Sequence, residues 1–426
     1  MIPFGDLKSD AAARRTLRRC ATAVVVGFCG LLTQRPFSPP VAHAQDEVRA
    51  LWVVRTSLTS ASAISTMVSA ARASGFNTLL VQVRGRADAY YANALEPRAV
   101  QLSGQPQLDP LGMTVQLAHA AGVRVHAWIN VNLVAGANEL PTSRDHVVYR
   151  HPDWLMVPRA LAEDMVGRDP LSPEYLGRLA RYTRSVSAEV EGLYLSPIPD
   201  GSADYSVGVV RSIVERYDLD GVHFDYVRYP SDDFDYSREA LAAFRRSVWP
   251  DLAPADRKKL DGRLANEPLL YTQAFPQRWH AFRTDRMTAL LVRLRDEVKT
   301  VRPSALVSVA VGPDPAEAAA HKMQDWRAWL SRDLVDVLCP MAYTTDGQLF
   351  ATQIATARDL TGNHPLWAGI GAYRLSSDQI VDRVQTARRL GVGGVILFSY
   401  DSLTGPSRGP DYLTQLGRAA FLTSQF

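Results

Sequence analysis

The sequence predicts an α/β protein folded as a (β/α)8 TIM barrel with long insertions after strands 3 and 4. Short β-rich runs alternate with helical periodicities along almost the whole chain, the pattern of a parallel sheet with crossover helices. The runs number eight, the count that closes a barrel. An open doubly wound sheet is the rival, but no Gly-x-Gly-x-x-Gly turn follows the first run, and that argues for the barrel.

In chain order the runs are Ala50–Arg55, Thr78–Arg84, Val123–Asn130, Gly221–Asp225, Leu306–Val311, Val335–Tyr343, Leu366–Ala372 and Gly394–Ser399. Between them apolar residues recur three or four apart, as in Ile64, Met67, Val68 and Ala71, and again in Ile380, Val381, Val384 and Ala387. That spacing marks helices with one buried face. Two connections, Val131–Leu219 and Ser231–Trp279, far exceed the usual link of about 4–6 residues and are read as insertions. Both leave the carboxyl ends of strands, so both are expected to wall the active face.

Residues 1–44 read as a signal peptide. Arg14, Arg15, Arg18 and Arg19 precede the apolar run Ala21–Leu32, and Ala42-His43-Ala44 supplies a cleavage site before Gln45. The run is shorter than the roughly 20 apolar residues of a membrane span. Export to a periplasmic or extracellular space is therefore expected, with no stable membrane insertion after leader cleavage, and residues 45–426 as the barrel domain. Without the leader, 41 basic residues face 42 acidic ones, a balance that points away from nucleic acid. Cys339 is then the one cysteine left, so packing rather than an internal disulfide must hold the domain together.

Polar residues gather at the strand ends. They are Arg55; Arg84, Arg86 and Asp88; Asn130 and Asn132; His223, Asp225, Arg228 and Tyr229; Asp314; Tyr343 and Asp346; Tyr373 and Arg374; and Tyr400 and Asp401. Such a rim suits a polyhydroxylated ligand, gripped by polar groups and stacked on aromatic faces. Glycoside hydrolysis usually needs one protonated and one ionised carboxyl group. Asp225 is the candidate for the ionised role, as nucleophile or base, with Arg228 and His223 expected to hold its pKa down. Asp346 and Asp314 are the first candidates for the acid; Asp88, Asp401 and Glu317 also qualify by position. The residues read as substrate-binding are Arg55, Arg84, Asp88, Asn130, His223, Arg228, Tyr229, Tyr343 and Tyr373. No metal or other cofactor is expected, since the histidines lack ligand spacing.

Several stretches together resemble the glycosyl-hydrolase-like 10 family, also catalogued as domain of unknown function 187. They include Arg49-Ala-Leu-Trp-Val-Val-Arg55, Gly75-Phe-Asn-Thr-Leu-Leu-Val-Gln-Val-Arg84, His126-Ala-Trp-Ile-Asn130, His151-Pro-Asp-Trp-Leu155, Asp220-Gly-Val-His-Phe-Asp-Tyr-Val-Arg-Tyr-Pro230 and Val395-Ile-Leu-Phe-Ser-Tyr400. The resemblance runs in order from about Val48 to Leu403. It implies a secreted barrel glycosidase, with some members acting on peptidoglycan glycan strands stripped of peptide. Asp220-Gly-Val-His-Phe-Asp225 is also similar to the fourth strand of α-amylase-type enzymes, whose last Asp is the nucleophile, though His223 replaces the arginine found there. Against the family-18 chitinase strand the catalytic Glu falls on Val227, which argues against that mechanism.

The expected function is hydrolysis of O-glycosidic bonds in a polysaccharide. Two alternatives stand beside it: a noncatalytic glycan-binding barrel, and a metal-dependent deacetylase using His126 and His223. Oligomeric state is not legible in the sequence.

Overall fold

A computed structural model describes residues 47–422; the expected leader lies outside them. Ten strands form: β1 (Val48–Val53), β2 (Thr78–Arg84), β3 (Arg124–Asn130), β4 (Leu133–Gly136), β5 (Gly192–Tyr194), β6 (Gly221–Asp225), β7 (Leu306–Val311), β8 (Val337–Ala342), β9 (Trp367–Ile370) and β10 (Gly394–Phe398). Eight of them close a parallel barrel in the order β1-β2-β3-β6-β7-β8-β9-β10, with β10 pairing back onto β1. These correspond one for one to the eight runs read from the sequence, shifted by a few residues at their ends. The first ends at Val53 because the next residues coil into a turn, where the Asp401 carboxylate accepts from the Val54 N–H at 2.8 Å. The sixth starts at Val337 because the Asp336 carboxylate takes the Val307 N–H that a strand carbonyl would otherwise accept.

Helices separate the strands, as the apolar spacing predicted. Ile64, Met67, Val68 and Ala71 form the buried face of Ala61–Ala73. Ile380, Val384 and Ala387 do the same in Ser377–Arg389. Both long connections have substructure of their own. The first carries β4, β5 and the helices Pro173–Ser185 and Asp200–Val214; the second carries Arg238–Val248, Pro254–Asp261 and Leu270–Ala274, and leads into the 26-residue helix Pro276–Val301. No helix among the described residues is long and apolar enough to cross a membrane.

Period-two alternation divides the barrel residues between two cores. Leu51, Val53, Leu79, Val81, Val222 and Phe224 face the surrounding helices. Trp52, Leu80, Trp128, Cys339, Trp367 and Ile396 fill the interior. Burial of each large apolar side chain contributes about 1.5–3 kcal/mol, and these side chains pack the interior as a plug beneath the barrel mouth. Gly369 makes that plug possible: a Cβ there would sit 2.9 Å from Trp52 Cη2 and 2.7 Å from the Pro340 carbonyl oxygen.

Candidate active site

On β6 the inward residues are His223, lower in the barrel, and Asp225 at its mouth. His223 is fully buried and fixed at both nitrogens. Trp52 Nε1–H donates to His223 Nε2 at 3.0 Å, and His223 Nδ1 lies 2.9 Å from Ser308 Oγ. An indole N–H can only donate, so Nε2 accepts and the ring proton rests on Nδ1. Burial, reinforced by His126, drives the His223 pKa well down. Burial also lowers His126, to about 4. Both rings are therefore neutral near pH 7. Neither nitrogen of His223 is free for a metal, which removes the footing of the deacetylase alternative. His223 does not contact the cavity either. It is a prop beneath Trp52, and its expected role in binding sugar is corrected accordingly.

Above that prop lies a cavity of about 240 Å³, lined by Trp52, Arg55, Gln82, Arg86, Trp128, Asn130, Asp225, Tyr226, Arg228, Met341, Tyr343 and Phe398, among others. Its aromatic wall is built by Trp52, Tyr343 and Phe398, whose ring centroids lie 5.5–6.1 Å apart. Asp225 is 6% exposed. Immediately after it Tyr226 adopts a left-handed φ of 55°, a conformation that typically costs about 1–3 kcal/mol for a non-glycine residue. That turn brings the Tyr226 N–H back onto Asp225 Oδ1 at 2.6 Å.

Burial raises the Asp225 pKa above its ordinary value. Arg228, the Tyr226 N–H and the nearby Trp128 indole oppose the rise without overcoming it. Trp128 Nε1 is not in full hydrogen-bond contact with any partner. The expectation that Arg228 and His223 hold the Asp225 pKa down is thus reversed: desolvation prevails, and His223 carries no charge. The proton-bearing form of Asp225 is therefore favoured relative to that of an ordinary aspartate.

A second carboxyl group with a displaced pKa stands in the first insertion. Glu191 immediately precedes β5 in the first insertion, and its Oε1 accepts from Arg228 Nη2 at 3.1 Å. The Tyr194 hydroxyl donates to Glu191 Oε2 at 2.6 Å. Partial burial works to raise the Glu191 pKa, but Arg228 and the tyrosine outweigh it and hold the carboxylate below its ordinary range. Asp225 and Glu191 thus share Arg228 as neighbour, with pKa values pushed in opposite directions. Such a split is how acid and base roles are divided between two carboxyls.

Glu191 is positioned by a hairpin stitched to the barrel mouth. β4 leaves directly after β3 and pairs antiparallel with β5. Asn132 ties the hairpin down from both sides: its Nδ2 donates to the Leu195 carbonyl at 2.8 Å, and its own carbonyl accepts from the Leu195 N–H at 2.7 Å. Gly192 is required at this join because a Cβ there would collide with the Ala135 carbonyl oxygen. Gly192→Ala is expected to displace β5 and Glu191 while sparing the barrel. Turnover should fall about 100-fold, the effect of misplacing a catalytic group by about an ångström, with an unchanged far-ultraviolet circular dichroism spectrum. Full activity in this variant would sink the assignment of Glu191.

Beside the cavity lies a groove of about 680 Å³ lined in part by Arg55, Arg86, Asp88, Arg98, His146 and Glu191. Arg55 and Arg86 line both spaces. Arg55 lies close over Gly85, where any Cβ would strike its guanidinium, and donates to Gln82 Oε1 at 2.9 Å.

Of the residues predicted to form the site, Asp225, Arg55, Asn130, Arg228 and Tyr343 line the cavity and Asp88 lines the groove. Tyr373 stands at the rim, edge-on to Tyr343 at 6.3 Å. The remaining ones are corrected. Arg84 is buried, bound to both oxygens of Glu96 and to the carbonyls of Asn130 and Val131. Tyr229 is fully buried and faces Arg283. Asp314 and Asp346 are exposed helix caps whose carboxylates accept backbone N–H groups at the starts of Pro315–Lys322 and Gly347–Thr361. Capping, not catalysis, explains both. Asp401 likewise accepts from Val54 N, Thr56 and Ser57. Sequence reasoning missed Glu191, Trp52, Gln82, Tyr226 and Phe398. The short run Gly192-Leu-Tyr194 after Glu191 was the available sign of a strand inside the insertion.

A family model described as Glycosyl hydrolase-like 10 matches residues 47–178 and 178–373. Glycosyl hydrolase YngK of Bacillus subtilis (strain 168) is 28% identical over 164 residues, covering 37% of this chain and 26% of that protein. Glycosyl hydrolase DigH of Escherichia coli (strain K12) is 22% identical over 297 residues, 63% of this chain and 55% of that protein. The chain thus spans from about a quarter to about half of the length of these relatives. Among solved structures, the PgaB (BpsB) glycoside hydrolase domain from Bordetella bronchiseptica superposes with a TM-score of 0.59 at 16% identity, over 89% of this chain and 100% of that one. A β-galactosidase from Marinomonas ef1 gives 0.57 at 13% identity, over 88% and 58%. At such identities the structural likeness carries the fold alone.

Proposed function

The chain belongs to the glycosyl hydrolase-like 10 family, and from that premise we propose that it hydrolyses O-glycosidic bonds of a polysaccharide, with peptide-free peptidoglycan glycan strands as substrate. One observation carries the reading: Asp225 and the Arg228-bound Glu191 both feel the Arg228 charge, yet their pKa values are displaced in opposite directions. Asp225 donates its proton to the departing glycosidic oxygen as the C1–O bond breaks. The ionised Glu191 presents negative charge to the oxocarbenium-like centre that forms. Water then adds its oxygen to C1 and gives a proton to the Asp225 carboxylate, which restores the acid. Asn130 and the aromatic wall of Trp52, Tyr343 and Phe398 hold the sugar in place. The basic and apolar character of residues 1–44 supports export to a periplasmic or extracellular space, where such a polymer is met.

The test is mass-spectrometric product analysis after incubation with peptide-free cell-wall glycan. New oligosaccharides are expected from the wild type and not from Asp225→Asn. Products from neither, with binding retained by both, would favour a glycan-binding barrel.

The pKa directions set the pH profile. Asp225 acts protonated, and its raised pKa carries that form to higher pH than an ordinary aspartate would. kcat/KM should therefore fall on the alkaline side, tenfold per pH unit, along a limb displaced upward. Glu191 acts ionised, so its lowered pKa moves the acid limb below the ordinary 4.5 of a glutamate. Arg228 lowers both pKa values, so Arg228→Met should shift both limbs to higher pH. Limbs that stay in place in that variant would contradict the assignment.

A further inference from the structure

The cleft holds a cation that the proposed chemistry does not use. Arg86 lines both the cavity and the groove, so a polymer running from one into the other passes its guanidinium. That guanidinium makes a single hydrogen bond, Nη1 to the Gly85 carbonyl at 2.9 Å, and has no ion-pair partner among the described residues. The acids around it are engaged. Asp88 accepts from the Arg86 backbone N–H at 2.7 Å and faces Arg55 at 3.9 Å, while Glu191 is held by Arg228 and Tyr194. Glu139 is exposed at the groove edge. Farther along, Arg98 also has no carboxylate partner among the described residues and donates to the carbonyls of Gln105 and Leu108. Burial, with the neighbouring Arg55, lowers the Arg86 pKa, and Tyr226, Tyr194 and Asp88 oppose this without overcoming it. A half-buried cation with no ion-pair partner is costly to desolvate further, and a bidentate carboxylate from a ligand is the group that relieves it best.

We propose that Arg86 reads a carboxylate carried by the sugar next to the bond that is cut, so that the preferred substrate is a glycan with acid groups along its chain. This deepens the glycan-cleaving reading and rests on it. Two polymers supply the shared chemistry: a cell-wall glycan with free lactyl ether carboxylates, and a polyuronate with carboxylates on the ring. A hydrogen bond to a charged group contributes a factor of about 10 to 100 in affinity, which sets the size of the preference.

The experiment compares wild type and Arg86→Gln on peptide-free cell-wall glycan, on the same glycan after its carboxyls are amidated with methylamine, and on polygalacturonate. kcat/KM is read from new reducing ends. Affinity is read by calorimetry with Asp225→Asn proteins carrying Arg86 or Gln at 86. Amidation should lower wild-type kcat/KM and Asp225→Asn affinity by about 10- to 100-fold, and the ratio should collapse toward one in Arg86→Gln. A larger effect on the cell-wall glycan supports the inference with the lactyl carboxylate as source; tighter handling of polygalacturonate supports it with the ring carboxylate. Equal treatment of the free and amidated forms by wild type, or a preference that survives in Arg86→Gln, overturns it. Carboxylate-dependent affinity without any cleavage overturns the hydrolase reading and leaves this inference standing. Neither cleavage nor such affinity overturns both.

Discussion

Asp225→Asn is expected to lower kcat by about two to four orders of magnitude, the usual contribution of a positioned proton donor, and to leave KM nearly unchanged. The loss depends on the leaving group. A glycan needs its departing oxygen protonated, whereas an aryl glycoside with an acidic phenol departs unaided, so the variant should recover most of its rate on the aryl substrate. Glu191→Gln should be slow on both, because its charge serves the carbon and not the departing oxygen. The fold is not at risk. Removing a carboxyl that burial already pushes toward neutrality relieves desolvation, so Asp225→Asn should unfold at an equal or higher urea concentration than wild type. An Asp225→Asn protein impaired equally on aryl glycoside and glycan would reassign it to the nucleophile role.

Glu96→Ala is expected to destabilise the protein by about 3–5 kcal/mol, the cost of stranding one member of a buried ion pair. The Arg84 guanidinium is 1% exposed and lies 2.7 Å from Glu96 Oε1, which also accepts from the Tyr205 hydroxyl at 2.8 Å. Without the carboxylate, a full positive charge remains in a closed space. Arg84 also binds the carbonyls of Asn130 and Val131, where the first insertion departs, so activity should fall with stability. Urea unfolding of Glu96→Ala and of the double variant Arg84→Met/Glu96→Leu separates the causes. The double variant should regain much of the lost stability, since a buried pair replaced by apolar residues is often neutral. If it is as unstable as Glu96→Ala, the stranded charge is not what matters.

The barrel was legible because its signals are local. Trp52, Trp128 and His223 alternate with outward residues, and period two is read without knowing the partner strand. Asp225 was legible for the same reason, as a carboxylate ending an apolar run. Arg84 ends its run in the same way and is nevertheless structural. What distinguishes the two is Glu96, twelve residues on, which pairs only once the chain folds back. Asp314 and Asp346 carried a local sign that weighed against catalysis: Asp314-Pro-Ala-Glu317 and Asp346-Gly347 are starts of helices. Glu191 was out of reach. It lies in an insertion whose three-residue strand β5 has too little periodicity to fix a register, and it reaches Arg228 from 37 positions away in the chain. The sign of the Asp225 pKa shift was equally hidden, since it depends on how much water the finished cavity excludes.

The two carboxyl groups stand on supports of unequal strength. Asp225 ends a strand held by β3 on one side and β7 on the other. Glu191 stands on a short hairpin whose tie to the barrel mouth runs through Asn132 and Leu195. The hairpin is buried, with Val134, Ala135, Leu193 and Leu195 in an apolar cluster of their own, but among the described residues its two short strands pair only with each other. Elements with fewer partners open at lower free energy than barrel strands, so the pair should come apart from the Glu191 side first. The proposed hydrolysis should then fail before the barrel does, with one jaw fixed and the other hinged. The same inequality makes the hinged jaw the replaceable one: exchanging the excursion alone would change what is gripped opposite Asp225 while the barrel that holds Asp225 stays as it is.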